Sequence, residues 1–220
     1  MILLLWACFE YIVPQQKDHY LMSRSVSQEK VDHLFDHMEE HVPDLQIIYK
    51  DEDQPGIWLK IVAFFIWFVG LFSSFDKQWN NSIGNAMLGK YILLPGTKRH
   101  RDFTNLRTYT LLRHEYTHIL DQRRRPFWFN LTYVLLPLPF LFSGRAHWEY
   151  RAFSQEMLAY YENTGRVHGS LVEGIKDQFT SSLYLWMWIR SSTVDRKVDE
   201  LVEMVENEEI SGYAPDISFM

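Results

Sequence analysis

Two histidines four positions apart, His114 and His118, with Glu115 between them, constrain this chain more than any other feature. On a helix, residues four apart share one face about one turn apart, so two imidazoles can converge on one metal ion. Glu115 would then lie beside a water on that ion and not on the ion itself. The pattern carries this meaning only on a helix and only with a third ligand from elsewhere, because a catalytic zinc site usually takes three protein ligands and leaves a position open.

The first condition is met by the local sequence. Thr104 to Gln122 is predicted helical, with Asp102 or Thr104 able to cap it and Pro126 closing the region after it. Leu112, Tyr116 and Ile119 line one stripe and His114 and His118 another. Upstream, Ser25 to Val42 reads as a helix with Val31, Leu34, Phe35, Met38 and Val42 at helical spacing, Ser27 able to cap it and Pro43 ending it. Leu45 to Lys50 reads as a short strand, Asp51 to Gly56 as a turn-rich loop, and Asn81 to Leu94 as extended structure with possible turns or bulges at Gly84-Asn85 and Gly89-Lys90. Downstream, Ala146 to Asn163 (with Ser143 as a cap), Val172 to Ile189 and Val194 to Glu206 read as helices, and the tail after Glu209 as irregular. These elements describe an α+β chain: a small mixed or antiparallel sheet, then a helical C-terminal half.

Composition narrows the chemistry. With 220 residues, 47% of them hydrophobic, one packed domain over 1–220 is expected. The net charge of −6 argues against general nucleic-acid binding. Cys8 is the only cysteine, which excludes a disulfide framework and a cysteine-rich zinc site. Any zinc is therefore held by histidine and carboxylate. Met1 to Val13 is apolar but lacks a basic start, contains Glu10 and shows no convincing cleavage site, so it reads as a mature strand or helix and not as a signal peptide. A cytoplasmic or peripheral-membrane location follows as the expectation.

Two apolar segments stand apart. Ile57 to Phe75 has Lys60 as its only charge until Phe75, and its purest part, Ile61 to Phe72, is twelve residues, short of the about 20 a spanning helix needs. Phe127 to Phe142 is broken by Pro137 and Pro139, which disfavour one continuous helix. Arg123, Arg124 and Arg125 precede it and Arg145 follows it. Basic flanks around an aromatic-rich loop suit a membrane surface or a protein partner, and a hydrophobic core hairpin accounts for the same pattern.

The downstream candidates for a third ligand are Asp121, His147, Glu149, Glu156, Glu162 and His168. An H-E-x-x-H-x-x-G-x-x-H site would need glycine and histidine where Asp121 and Arg124 stand, so that pattern fails at two positions. Asp121 is one turn beyond His118, with poor reach to the ion; it suits a hydrogen bond to a ligand histidine or an arginine, or a solvated helix end. Glu149 lies on the next strongly predicted helix and is the best placed. Glu156, two turns further on nearly the same face, is its rival; if Glu149 binds, Glu156 can orient a ligand histidine or form an ion pair. His147 would point away from the Glu149 face.

With His114-Glu-Tyr-Thr-His118 followed by Glu149-Tyr-Arg-Ala152, the chain resembles the gluzincin group of zinc metallopeptidases over roughly Asn81 to Asn163. The resemblance implies a zincin-like fold and one Zn²⁺ per chain on His114, His118 and Glu149. Glu115 would be the general base for hydrolysis of a peptide or protein, and Ala152 would allow close helix approach. It also implies that the extended segment Lys90, Tyr91, Ile92, Leu93 and Leu94 is an edge strand on which substrate lies. Tyr150, Tyr160, Tyr161, His168 or Arg151 could stabilise an oxyanion. The competing expectation is a non-catalytic zincin scaffold that binds a partner or membrane surface, motivated by the aromatic density of Ile57 to Phe75, Phe127 to Phe142 and Leu183 to Ile189.

Overall fold

Ser27 starts the first helix: its hydroxyl accepts the Lys30 amide at 3.4 Å, and α1 runs Gln28–His41. The computed structural model describes residues 24–49, 85–87, 89–96, 101–135, 144–180 and 190–219. The expectations for Met1 to Val13, Asp51 to Gly56, Ile57 to Phe75, the Ser143 cap and Leu183 to Ile189 lie outside those residues. α1 buries Val31, Leu34 and Met38, one helical face as the sequence spacing requires. The chain then enters β1 (Gln46–Tyr49).

Among the described residues the sheet has three strands. β3 (Tyr91–Leu94) lies in the middle, parallel to β1 from Gln46↔Tyr91 to Tyr49↔Leu94 and antiparallel to β2 (Asn85–Met87) from Asn85↔Leu93 to Met87↔Tyr91. A mixed sheet was one of the two expected forms. The expectation that Lys90 to Leu94 forms an edge strand is corrected here. Lys90 lies in the turn, and Tyr91, Ile92 and Leu93 are paired on both sides of the strand. Ile92, Leu93 and Leu94 are buried, as befits a strand covered on both faces. The parallel pairing brings together segments far apart in sequence, which local reading does not foresee.

The turn at Gly89 has φ +66, a left-handed conformation that suits glycine. It is tied to the next helix, α2 (Leu106–Arg124): Gly89 donates its amide to Gln122 Oε1 at 2.7 Å and accepts from Arg123 Nε at 2.7 Å. Arg123 also pairs with Asp44. Asn105, not Asp102 or Thr104, caps α2, accepting from the amides of Arg107 and Thr108. Asp102 instead closes a local turn by accepting from the Thr104 amide and hydroxyl.

Pro126 does not merely stop α2. It occupies the first turn of a short helix, α3 (Pro126–Asn130), where its missing amide costs nothing. A single π-helical segment, Leu131–Leu135, continues it. The part of the second apolar segment after Leu135 lies outside the described residues. Then follow α4 (Gly144–Thr164), α5 (Gly169–Thr180) and α6 (Ser191–Glu206). α6 buries Val194, Val198, Leu201 and Val205, the stripe its amphipathic sequence encodes. α2 packs most extensively against α4. One hydrophobic core joins α1, β3, α2, α4, α5 and α6. The tail is irregular, as expected, yet it packs: Phe219 stacks on Phe179 at 5.3 Å, and Tyr213 meets His33 and His37 of α1. No helix among the described residues is long and apolar enough to cross a membrane.

Two positions make this packing testable. A Cβ on Gly144 would overlap the Thr132 side chain, coming within 2.9 Å of its Oγ1. Gly144→Ala gains about 1 kcal/mol of helix propensity at most, while overpacking of a rigid contact costs about 1–3 kcal/mol. A lower thermal midpoint is therefore expected by calorimetry, and an unchanged or raised one would show that this crossing is loose. His37 offers the second test. Burial lowers its pKa, the neighbouring His41 and His33 add to the depression, and Glu40 opposes it. Its Nδ1 meets the Tyr116 hydroxyl at 2.8 Å, and the Tyr213 ring lies 4.5 Å away. The unfolded chain therefore takes up a proton at a higher pH than the folded one. Its contribution to stability is complete above the ordinary histidine value and is lost as pH falls below it. Denaturant midpoints of wild type should fall between about pH 7.5 and about pH 5.5 more steeply than those of His37→Gln; parallel curves would remove His37 from the account.

Candidate metal centre

α2 is buried on nearly every side, and so is the α4 face against it. His114, Glu115, His118 and Glu149 are all buried where the two helices meet. His114 Nε2 and His118 Nε2 each lie 3.4 Å from the same carboxylate oxygen, Glu149 Oε2. Three donor atoms from these residues fall within 4.8 Å of one another. Tetrahedral ligands at about 2.0–2.2 Å from an ion stand about 3.3–3.6 Å apart, so both His–Glu edges fit such an ion. The donor set is nitrogen and carboxylate oxygen, suited to a divalent transition metal. The His114/His118/Glu149 group can hold a metal ion.

The surroundings orient these ligands. His114 is bracketed: its Nε2 faces Glu149 and its Nδ1 lies 3.6 Å from Glu156 Oε2. A carboxylate behind a ligand histidine fixes its tautomer and ring orientation. Glu156, the rival for third ligand, thus lies on the outer side of His114, and Glu149 between the two histidines. Asp121 is buried and receives Arg151 in a two-pronged contact, with Nε at 3.0 Å from Oδ2 and Nη2 at 2.9 Å from Oδ1. The hydrogen bond to an arginine expected for Asp121 is present, and the solvated helix end is not. His147 turns elsewhere, its Nδ1 at 3.3 Å from Ser218 Oγ. Tyr116, in the middle of the motif, faces α1, where burial pushes its pKa up.

Of the residues expected to assist an oxyanion, Tyr150, Arg151, Tyr160 and Tyr161 are engaged or lie elsewhere. Tyr150 donates its hydroxyl to the Lys197 carbonyl of α6 at 3.0 Å, because the next position on a helix turns about 100° from Glu149. Arg151 is committed to Asp121. Tyr160 and Tyr161 lie three turns, about 16 Å, along α4 from Glu149; Tyr160 is in the core and Tyr161 donates to the Glu206 carbonyl. His168 follows the end of α4, and its carbonyl accepts the amides that begin α5. Lys90 to Leu94 serve the sheet.

One residue in the site was missed by sequence reasoning. The Tyr133 hydroxyl donates to Glu149 Oε1, and its ring meets His118 edge-on at 5.7 Å. Phe129 stacks on Tyr133 at 4.9 Å and also meets His118, and Trp148 closes this small cluster, donating its indole N–H to Thr132 Oγ1 at 2.9 Å. Arg145, read as a basic flank of the second apolar segment, is buried with its guanidinium 5.3 Å from the Tyr133 ring. The available signal was a polar hydroxyl in an apolar run, one helical step after Phe129.

No family model matches the chain, and neither a curated protein nor a solved structure is detectably similar to it.

Because Tyr133 holds one Glu149 oxygen, the other is left directed at both histidines. Tyr133→Phe should weaken metal binding by about 10-fold or more in competition with a chromophoric chelator. Unchanged affinity would reduce Tyr133 to a packing residue.

Proposed function

We propose that the chain is a zinc-dependent metallopeptidase with a zincin-like arrangement, in which His114, His118 and Glu149 hold the ion and Glu115 is the general base. The observation that carries the reading is the pair of 3.4 Å contacts from both Nε2 atoms to one Glu149 oxygen, on an H-E-x-x-H helix. Zinc fits this donor set, and when bound it supplies Lewis acidity toward a substrate carbonyl and lowers the pKa of a water toward about 7.

The protein's own part is positional. Tyr133 holds the outer oxygen of Glu149, and Glu156 lies 3.6 Å from the outer nitrogen of His114, leaving the inner atoms to converge. Glu115, beside His114, takes a proton on its carboxylate as the water oxygen bonds to the carbonyl carbon. It then delivers that proton to the departing amine as the C–N bond breaks. Burial of these groups strengthens each electrostatic contact. Entry of a peptide requires part of the surrounding layer to move, and Phe129 and Tyr133 are the aromatic side chains that meet His118. If peptide binds as an added strand, β2 can receive it: its far side carries no strand among the described residues, and it packs on α2.

A second reading, a non-catalytic scaffold, draws on the same burial, since structural metal sites are closed. Glu115→Gln separates the two. In the peptidase it abolishes cleavage of a mixed peptide library, by about 10²–10⁴-fold, while metal analysis still finds one zinc per chain. Zinc-loaded wild type that cleaves nothing would establish the scaffold, and wild type that binds no zinc would remove both.

A further inference from the structure

We propose that the corner between α2 and α3 docks the protein onto an anionic phospholipid surface through Arg124, Arg125, Phe127 and Trp128. Phe127 and Trp128 are 68% and 60% exposed, the two large apolar side chains the described surface leaves most open. They are neighbours in space, ring centroids 5.5 Å apart and edge-on. Their exposure follows from the backbone. Arg125 ends α2 with φ −140 and ψ 58, and Pro126 starts a new helix in a new direction, so the first turn of α3 projects. Phe129, two residues on, faces inward and anchors the corner on Tyr133 and Trp148.

Charge decides what covers this corner. Arg124 and Arg125 are exposed and enter no ion pair among the described residues, whereas Arg123 is committed to Asp44 and Gly89. No acidic residue occurs between Asp121 and Glu149 in the sequence. The helix C-terminus accounts for basic residues there, but not for two exposed aromatics immediately beyond them. Arginine forks match phosphate oxygens, and aromatic rings, tryptophan above all, settle at the headgroup level. The net charge of −6 does not oppose contact at this corner, since charges more than about 10 Å away are screened at 0.1 M salt. No described helix is long and apolar enough to span a bilayer, and the proposed contact is a surface one.

Docking there would also set the metal group close to the lipid, because the inward face of the same short helix touches His118. The proposal itself does not depend on the peptidase reading.

The test is sedimentation of the full chain with vesicles of phosphatidylcholine alone or with about 30% phosphatidylglycerol. Binding should require the anionic lipid and weaken with salt. Phe127→Ser with Trp128→Ser, and separately Arg124→Glu with Arg125→Glu, should each lower the anionic-vesicle affinity at least about 10-fold with thermal midpoints near wild type. Treatment with a metal chelator should leave vesicle binding by the wild type as it is. Absence of wild-type binding overturns the proposal. So does equal binding by the surface variants, which would place the contact elsewhere in the chain. A dimer in solution that both surface variants dissociate, without vesicle binding, would assign the corner to a second copy.

Discussion

The contact between α2 and α4 is the constraint on which the rest of the structure depends. Two helices in a protein interior usually meet through apolar side chains, and these two meet largely through charged and polar ones. Arg113 reaches Glu162 at 2.6 Å and Gln155 at 2.8 Å toward one end, and Asp121 holds Arg151 toward the other. Between these two clamps on α2 stand His114 and His118, which face Glu149 and Glu156 of α4. Removing one partner of a buried ion pair costs about 3–5 kcal/mol, although such pairs add little net stability over apolar packing. Their effect is to fix register: a slip of one helix along the other would break both clamps and separate the histidines from Glu149. Stability comes from the apolar shell, and the polar seam fixes the alignment.

That seam needs a floor, and the α3 region supplies it. Phe129, Tyr133 and Trp148 form a small cluster apart from the main core, directly against His118 and Glu149. Gly144 lets the π-helical segment approach the start of α4, so that Trp148 reaches Thr132 and Tyr133 reaches Glu149. A π-helical turn shifts side chains relative to an α-helix and often occurs at functional sites. Here it places one hydroxyl on a buried carboxylate. α3, which that turn continues, leaves Phe127 and Trp128 exposed, so one short stretch of chain reaches both the buried group and the surface.

What the sequence made legible follows from how local each cause is. α1 and α6 announce themselves by apolar spacing, and the motif helix by its run of helix formers. Glu149 could be singled out because its separation from His118 leaves room for the chain to return. Asn105 was passed over as a cap because Asp102 and Thr104 offer equal local chemistry; the pairing of Ser25 with Asn105 in an isolated bridge helps define where α2 begins. The central place of β3 depends on β1, whose parallel partnership has no local signature. Tyr133 and Arg145 were hidden for another reason. Both sit within or beside an apolar run whose average character suggests lipid or core, and only the fold turns a hydroxyl and a guanidinium inward.

Charge counting links the polar seam to the metal. Glu115 and Glu149 are fully buried carboxylates, and the two histidines that face Glu149 are neutral when they act as ligands. A buried, uncompensated carboxylate is costly, which ordinarily drives it to take a proton. A divalent cation between His114, His118 and Glu149 would be balanced by Glu149 and Glu115 together, leaving Glu156 to act on the far nitrogen of His114. In the proposed reading a cation there would offset the charge of Glu115, and a carboxylate beside a polarising cation is suited to accept a proton. On that reading the metal and the base are not two separate features of the motif. Burial would make each favour the other, which would account for one glutamate standing between the two histidines.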